Sequence, residues 1–502
     1  MPERPARGPR HAQALLRCCD RPPGAGLSSW WVSLGASRKI AALCVTAVLA
    51  SATVAFATSK ATSTGGVSGP SGSSGATATT GVTTAPPVAS ALEKLDKTMS
   101  GAMRSLGPHS GAYVYDLDTG QVLFDVDGAV PRYPASVEKL YTLSTALALF
   151  GPGGTLQTGV YGTGTLGPGG VWDGNLYLKG GGDPTFGDAR FIKDWYGTGT
   201  SAGALAAQLL ARTHITRVDG AVFGDESYFD ALRGGPSTNY APDPNLVGEL
   251  SALSFDRGAI GRQGNPAAHA AWEFAGTLRR AGVTISGKSQ QGVTPVGAQL
   301  LASINSPPMT TLSKLTATPS DDFFAEMILK ALGARFGAGG TTAAGAAVVT
   351  KFLAGLHITP VIADGSGLSR GDLTSPAQVV ELLRDISPGG VSSLQTVGAD
   401  LHASLAIDGE TGTLVTRMIG TAAQGNCQAK TGTLSNASDL AGWCDRRYVF
   451  ALLMNSVDVY RAQVAQDKIV EALARYAKAT GAAPAPSSSR KPASSSTATP
   501  SR

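Results

Sequence analysis

The sequence predicts an α+β domain, an antiparallel sheet flanked by helices, interrupted by a large β-rich insertion. Three observations carry this. Strand patterns stand near both ends of the folded body, in "GAYVYDLDTGQVLFDVD" (111–127) and in "CQAKTGTL", "ASDLAGWC" and "YVFALLMNS" (427–456). Helical patterns fill much of the chain between them. Residues 153–305 instead hold many short, glycine-bounded strand patterns such as "NLYLKG" and "GAVFGD", with a few helical stretches.

The elements follow in order. Val88–Leu106 reads as a helix. The alternation of 111–127 breaks at Asp118-Thr119-Gly120, a hairpin signal. A helix containing Ser136 follows and is ended by Gly151-Pro152. After 305 longer elements return. "DDFFAEMILKALG" is a helix closed by Gly333, and "SPAQVVELLRDI" is one with Ser375 as N-cap and Pro376 at its first position. "RAQVAQDKIVEALARYAKA" is a closing amphipathic helix. The expected organisation is 88–152 and 306–480 as two parts of one domain, with 153–305 inserted. Residues 58–87 form a Ser/Thr/Gly/Ala tether, and 481–502 a Pro/Ser tail.

The net charge of the 502-residue chain is +5. Residues 1–39 hold Arg4, Arg7, Arg10, Arg17, Arg21, Arg38 and Lys39 against Glu3 and Asp20, so they carry that whole excess. The remainder is balanced, which argues against nucleic acid as a partner. The basic segment precedes "IAALCVTAVLASATVAFA" (40–57), an uncharged apolar run. Such a run is a signal peptide, with Ala55-Phe56-Ala57 as a cleavage site, or a membrane anchor with its basic side in the cytoplasm. Either reading places the body outside the cytoplasm, anchored to the membrane or secreted. "AALC" matches a lipoprotein site poorly, so Cys44 reads as an ordinary apolar residue. Cys18, Cys19 and Cys44 precede the body; only Cys427 and Cys444 lie within it. A hairpin turning in "LSNA" (434–437) would set these two opposite each other as a disulfide; two free buried thiols are the alternative.

The chemistry begins at "ASVEKLYT" (135–142), with Ser136 and Lys139 three positions apart. Both lie on one face of a helix's first turn. Free N–H groups and the positive dipole end there suit a developing oxyanion. A serine hydroxyl needs a base. A lysine among Leu140, Leu143 and Leu147 is desolvated, which disfavours its charged form and lets it take the serine proton. "AKTGTL" places Lys430, Thr431 and Gly432 on an edge strand able to pair with an extended peptide. Lys430 and Thr431 would hold an anionic carboxylate, Gly432 would let the substrate backbone approach, and the Thr433 amide would complete an oxyanion hole with that of Ser136. "TPSDDFFAEM" puts Ser320-Asp321-Asp322 at a helix start, where an N-cap serine followed by two acids is the simpler reading of that motif alone.

In this order the three motifs resemble the set used by penicillin-binding proteins and serine β-lactamases. The chain looks like the D-alanyl-D-alanine carboxypeptidase/endopeptidase class with a large insertion between the first two motifs, the S13 peptidases or class C low-molecular-mass penicillin-binding proteins. "YPASVEKLYT", "LYLKGGGDPTF", "VDGAVFGDESYF", "SPPMTTLSKL", "ADGSGLSR" and "SLAIDGETGTLVTRM" resemble the family as well, so the likeness spans roughly 88–475. It implies a β-lactamase/penicillin-binding-protein transpeptidase-like domain. It also implies that Ser136 attacks the carbonyl between two D-alanines of a peptidoglycan stem peptide. Lys139 would be the base, Ser320 would relay a proton to the leaving amine, and Lys430 and Thr431 would anchor the terminal carboxylate. β-Lactam antibiotics would acylate Ser136 as covalent inhibitors.

One residue departs from the pattern. The family's second motif is usually Ser-x-Asn, and here its third residue is Asp322. An ionised aspartate cannot donate to a substrate carbonyl, and as a partner of Lys139 it would weaken that base. Two alternatives therefore stand beside the D,D-peptidase reading. One is a β-lactamase or esterase on the same scaffold, although no clear Glu-x-x-Leu-Asn loop supplies the second base. The other is a catalytically silent peptidoglycan-binding relative. Gly367–Gly371 fits G-x-S-x-G, but "DLTSP" follows where a nucleophile elbow needs a helix, so Asp364 and Ser366 are expected to shape a loop near the site. Gly180-Gly181-Gly182-Asp183 lacks the lysine of a phosphate loop. The six histidines show no paired metal spacing, so no metal is expected, and a serine–lysine mechanism needs no cofactor.

Overall fold

The computed structural model describes residues 87–258 and 264–481. The apolar run 40–57, the basic segment, Cys18, Cys19 and Cys44, and nearly all of the tether and tail lie outside the described residues. None of the described helices is long and apolar enough to cross a membrane.

Helix α1 (Pro87–Arg104) leads into the hairpin β1 (Ser110–Asp116) and β2 (Gln121–Val126). A turn of 3-10 helix, Ala135–Glu138, continues into α2 (Lys139–Phe150). Residues 157–305 build a second sheet with its own helices: β3 (Gln157–Leu166), β4 (Val171–Lys179), α3 (Ala189–Trp195), α4 (Ala202–Thr213), β5 (Arg217–Val218), β6 (Val222–Asp225), α5 (Pro266–Arg280), β7 (Thr284–Ile285), β8 (Gln290–Gln291) and β9 (Gln299–Asn305). Helices α6 (Met309–Ala317), α7 (Asp322–Phe336), α8 (Thr342–Ala354), α9 (Pro376–Asp385) and α10 (Gln395–Ser404) follow. The chain closes with β10 (Ala406–Ile407), β11 (Cys427–Leu434), β12 (Ala437–Cys444), β13 (Tyr448–Asn455) and α11 (Val459–Ala479).

The first sheet has the order β10-β11-β12-β13-β1-β2 and is antiparallel throughout. Strands β12 and β13 are buried at every position, because helices cover both faces. On one face α1 and α11 contribute Leu95, Met99, Ile469 and Leu473 to a core with Phe450 and Leu452. On the other, α2, α7 and α9 bring Leu140, Leu143, Phe323, Leu329, Val379 and Leu382 onto Ala441 and Leu453. The second sheet has the order β7-β5-β4-β3-β9, with β6 on β4 and β8 on β6, and a core around Leu176, Leu178, Leu205 and Phe274. It mixes antiparallel pairs (β3 with β4 and β9) with parallel ones.

Local detail departs from expectation at three places. Helix α7 does not close at Gly333 but runs on to Phe336. Gly333 is there for packing: a Cβ would stand 2.6 Å from Gly339 O and from Gly345 N. Its N-cap is Asp321, whose Oδ1 accepts from Phe324 N at 3.0 Å, rather than Ser320. Strand β11 is not an edge strand along its whole length, because β10 pairs with Gln428 and Ala429. From Lys430 to Leu434 no described strand pairs with its outer side. Cys427 and Cys444 are in register across β11 and β12 and are joined by a disulfide.

Candidate active site

Ser136 sits on the 3-10 turn, and the turn is held by close backbone approaches. Ala135 has φ +43°, a left-handed conformation that a residue with a side chain adopts only when its surroundings enforce it. Two glycines supply those surroundings. A Cβ on Gly367 would collide with the Ala135 carbonyl. One on Gly432 would lie 2.7 Å from Pro134 O and 3.1 Å from the Ala135 Cβ. The glycine of Lys-Thr-Gly is thus explained by β11 closing on the Ser136 turn.

Lys139 opens α2 with its side chain fully buried. Its Nζ lies 2.9 Å from Ser136 Oγ, 2.6 Å from Asp322 Oδ1 and 2.6 Å from the Ser366 carbonyl oxygen. The latter two atoms only accept, so they take N–H groups. A neutral amine has two N–H groups and one lone pair, which leaves the lone pair for the Ser136 hydroxyl; an ammonium would donate to all three. The Asp322 carboxyl is pushed up by burial, opposed by the charge and hydrogen bond of Lys139.

Ser320 has φ +65°, and its Oγ lies 2.7 Å from Lys430 Nζ. That nitrogen also donates to Thr431 O at 2.8 Å. Burial, reinforced by the charge of Lys139 and opposed by Asp322, holds Lys430 well below the usual lysine range. Thr431 Oγ1 bonds Thr413 Oγ1 at 2.8 Å, and Thr433 is exposed on the open stretch of β11. The structure therefore brings Ser136, Lys139 and Asp322 together as one group, and Ser320, Lys430 and Thr431 as an adjoining one. The Lys139 and Lys430 charges and Asp322 act on one another across the two.

Beneath Lys139 lies a set of buried acids, of which sequence reasoning had placed Asp364 near the site and missed Glu138, Glu326 and Asp372. Glu326 Oε1 accepts from Gly365 N at 2.9 Å and Ser366 N at 2.8 Å, and so supports the loop whose carbonyl meets Lys139. Asp364 accepts from Gly367 N at 2.6 Å and Ser369 N at 2.7 Å, which makes Gly367–Gly371 a loop and not a nucleophile elbow. Burial, then the charge of Asp364, raises Glu326 to about 8 and pushes Glu138 and Asp372 well up. Glu326 stands four residues after Asp322, on the same helix face, and that spacing was the available signal. The Ser366 carbonyl had none, because a backbone atom belongs to no residue type. Asp183 accepts from Thr185 and Thr200 and shapes a turn. No group of three or more potential metal ligands occurs among the described residues.

The chain matches the family described as D-Ala-D-Ala carboxypeptidase 3 (S13) over residues 91–244 and 243–476. It is 30% identical over 450 residues to a D-alanyl-D-alanine carboxypeptidase of Actinomadura sp. (strain R39), covering 74% of this chain and 82% of that one. It is 27% identical over 366 residues to carboxypeptidase DacB of Mycolicibacterium smegmatis, covering 68% of this chain and 75% of that protein. The structure is similar to penicillin binding protein 4 (dacB) of Haemophilus influenzae, with a TM-score of 0.63, 20% identity, and coverage of 75% of this chain and 99% of that chain. The same protein complexed with a β-lactam superposes with a TM-score of 0.58 at 20% identity, over 74% of this chain and 97% of that chain. These last two likenesses concern the fold.

Proposed function

Because the chain belongs to the D-Ala-D-Ala carboxypeptidase 3 (S13) family, we propose that it removes the terminal D-alanine of peptidoglycan stem peptides through an acyl-enzyme on Ser136. The observation that carries this reading is the set of contacts of Lys139. Its nitrogen is within hydrogen-bond reach of Ser136 Oγ while two acceptors orient its N–H groups.

Ser136 Oγ attacks the carbonyl carbon of the penultimate D-alanine, and its proton passes to Lys139 Nζ. The tetrahedral intermediate collapses with cleavage of the C–N bond. The departing amine takes that proton from Lys139 through Ser320, which lies beside Lys430. A water, deprotonated by the now neutral Lys139, then opens the ester, and the proton returns to the Ser136 oxygen. Lys430 and Thr431 hold the substrate's terminal carboxylate, and the open stretch of β11 receives the peptide as an added strand. A β-lactam presents a comparable amide and acylates Ser136 in the same way, with slow release. Cell-wall peptidase action is extracytoplasmic, and residues 40–57 supply the export signal or the anchor.

The test is covalent labelling of the purified protein with a fluorescent penicillin, read by intact mass beside Ser136→Ala. A stable adduct absent from the variant is expected, together with D-alanine release from a pentapeptide. A folded parent that takes no label sinks the acyl-enzyme reading. Rapid turnover of the penicillin would instead identify a β-lactamase. A second reading, a silent wall-binding relative, is motivated by the Asp322 carboxylate on Lys139; it predicts no label in the parent and label in Asp322→Asn.

A further inference from the structure

Residues between the first and second motifs form the second sheet, and one of their side chains reaches the second motif directly. Arg257 lies in the connection between β6 and α5 and is 5% exposed. Its guanidinium meets Asp321 with both terminal nitrogens, Nη1 to Oδ2 at 2.8 Å and Nη2 to Oδ1 at 3.1 Å. The other N–H groups are used as well. Nε donates to Val247 O at 2.9 Å, Nη2 to Leu246 O at 2.7 Å and Nη1 to the Tyr196 hydroxyl at 3.4 Å. All five donors of the fork are thereby engaged. The ring of Phe323, one residue beyond the motif, lies 4.6 Å from the guanidinium carbon.

Asp321 is the middle residue of the second motif and has two duties. It caps α7 through Phe324 N, and it receives Arg257. Its neighbours in sequence are the two residues that touch the lysines: Ser320 on Lys430 and Asp322 on Lys139. Ser320 is held in the left-handed region, as are Asp256 and Arg257 on the other side of the pair. Backbone of this kind persists where surrounding contacts over-determine it. A bidentate pair with a planar fork fixes direction as well as distance, which a lysine cannot do.

We infer that Arg257 is a positioning residue for the second motif: its forked pair with Asp321 sets the places of Ser320 and Asp322 against Lys430 and Lys139. The inserted sheet thereby takes part in aligning the reaction centre. The inference rests on the acyl-enzyme reading above.

The experiment is stopped-flow or quenched acylation by fluorescent penicillin, with separate measurement of label stoichiometry and of the rate per labelled site, in the full chain and in Arg257→Lys. The expected result is a rate per site lowered by about 10- to 100-fold, the range typical of lost positioning, with a KM for the pentapeptide within about threefold of the parent, because Lys430 and Thr431 remain. A role in stability alone would lower stoichiometry and melting temperature and leave the rate per labelled site within twofold of the parent; that outcome overturns the inference. Should Arg257→Lys fail to fold, Asp321→Asn carries the same expectation, since asparagine is as good a helix cap and lacks the charge. A labelled parent with an unaffected variant overturns the role of Arg257; a parent that takes no label overturns the acyl-enzyme reading and this inference with it.

Discussion

Asp322 Oδ1 lies 2.6 Å from Lys139 Nζ, closer than the 2.9 Å between that nitrogen and Ser136 Oγ. The carboxyl is thus the nearer of the two partners, and it takes an N–H of the lysine while Ser136 faces the lone pair. An asparagine in its place would still accept an N–H through its carbonyl oxygen, and would add an NH₂ able to donate to a substrate carbonyl.

Asp322→Asn keeps an acceptor for the Lys139 N–H and adds an NH₂ able to donate to a substrate carbonyl. One such hydrogen bond is worth about 1–1.5 kcal/mol, so the rate of penicillin acylation should rise by about tenfold. An unchanged rate would show that the side chain at 322 does not reach the substrate.

Ser320→Ala removes the hydroxyl that bridges toward Lys430. If Ser320 relays the proton to the leaving amine, kcat for D-alanine release should fall by about 10²–10⁴-fold with a small change in KM. A comparable KM increase at unchanged kcat would assign Ser320 to binding alone.

Glu326 tests the buried acids. Its carboxyl is raised from 4.5 to about 8 by burial and by Asp364. Between those values the native chain keeps a proton that the unfolded chain has released, so stability falls as pH rises through that window. Glu138 and Asp372 shift in the same direction. The denaturation midpoint should be lower at pH 8.5 than at pH 6. Glu326→Gln, which still accepts from Gly365 N and Ser366 N, should reduce that difference.

Gly432→Ala places a methyl 2.7 Å from Pro134 O and 3.0 Å from the Asp439 Cβ. Overpacking of this order costs about 1–3 kcal/mol, and the displaced element is the Ser136 turn. Both melting temperature and the rate of penicillin labelling should drop. Preserved labelling in a stable variant would show that β11 yields instead of the turn.

Reducing the Cys427–Cys444 bridge, which closes a separation of 17 residues, should lower stability by about 2–4 kcal/mol. The rate of acylation per folded molecule should hold, because the bridge joins the starts of β11 and the end of β12, away from Gly432 and the Ser136 turn. A fall in that rate would show that strand register at the cysteines is transmitted to Lys430.

What the sequence determined by itself was whatever depends on residue type at short spacing. Ser136 and Lys139 share a helical turn because they are three residues apart. The α+β class followed from strand patterns at both ends of the body, and membership of the S13 family follows from motifs spread along most of the chain. The tertiary structure decided what depends on backbone atoms and on distant segments. It set the Ser366 carbonyl on Lys139 from 227 positions away and Arg257 on Asp321 from 64. It moved the helix cap from Ser320 to Asp321. It showed that Gly432 makes room for Pro134 and Ala135. The reason is physical. Periodicity and capping act within a turn or two of chain and leave a trace in residue order. Burial and the meeting of buried charges arise only when separate elements close on one another, and no local pattern records which ones will meet.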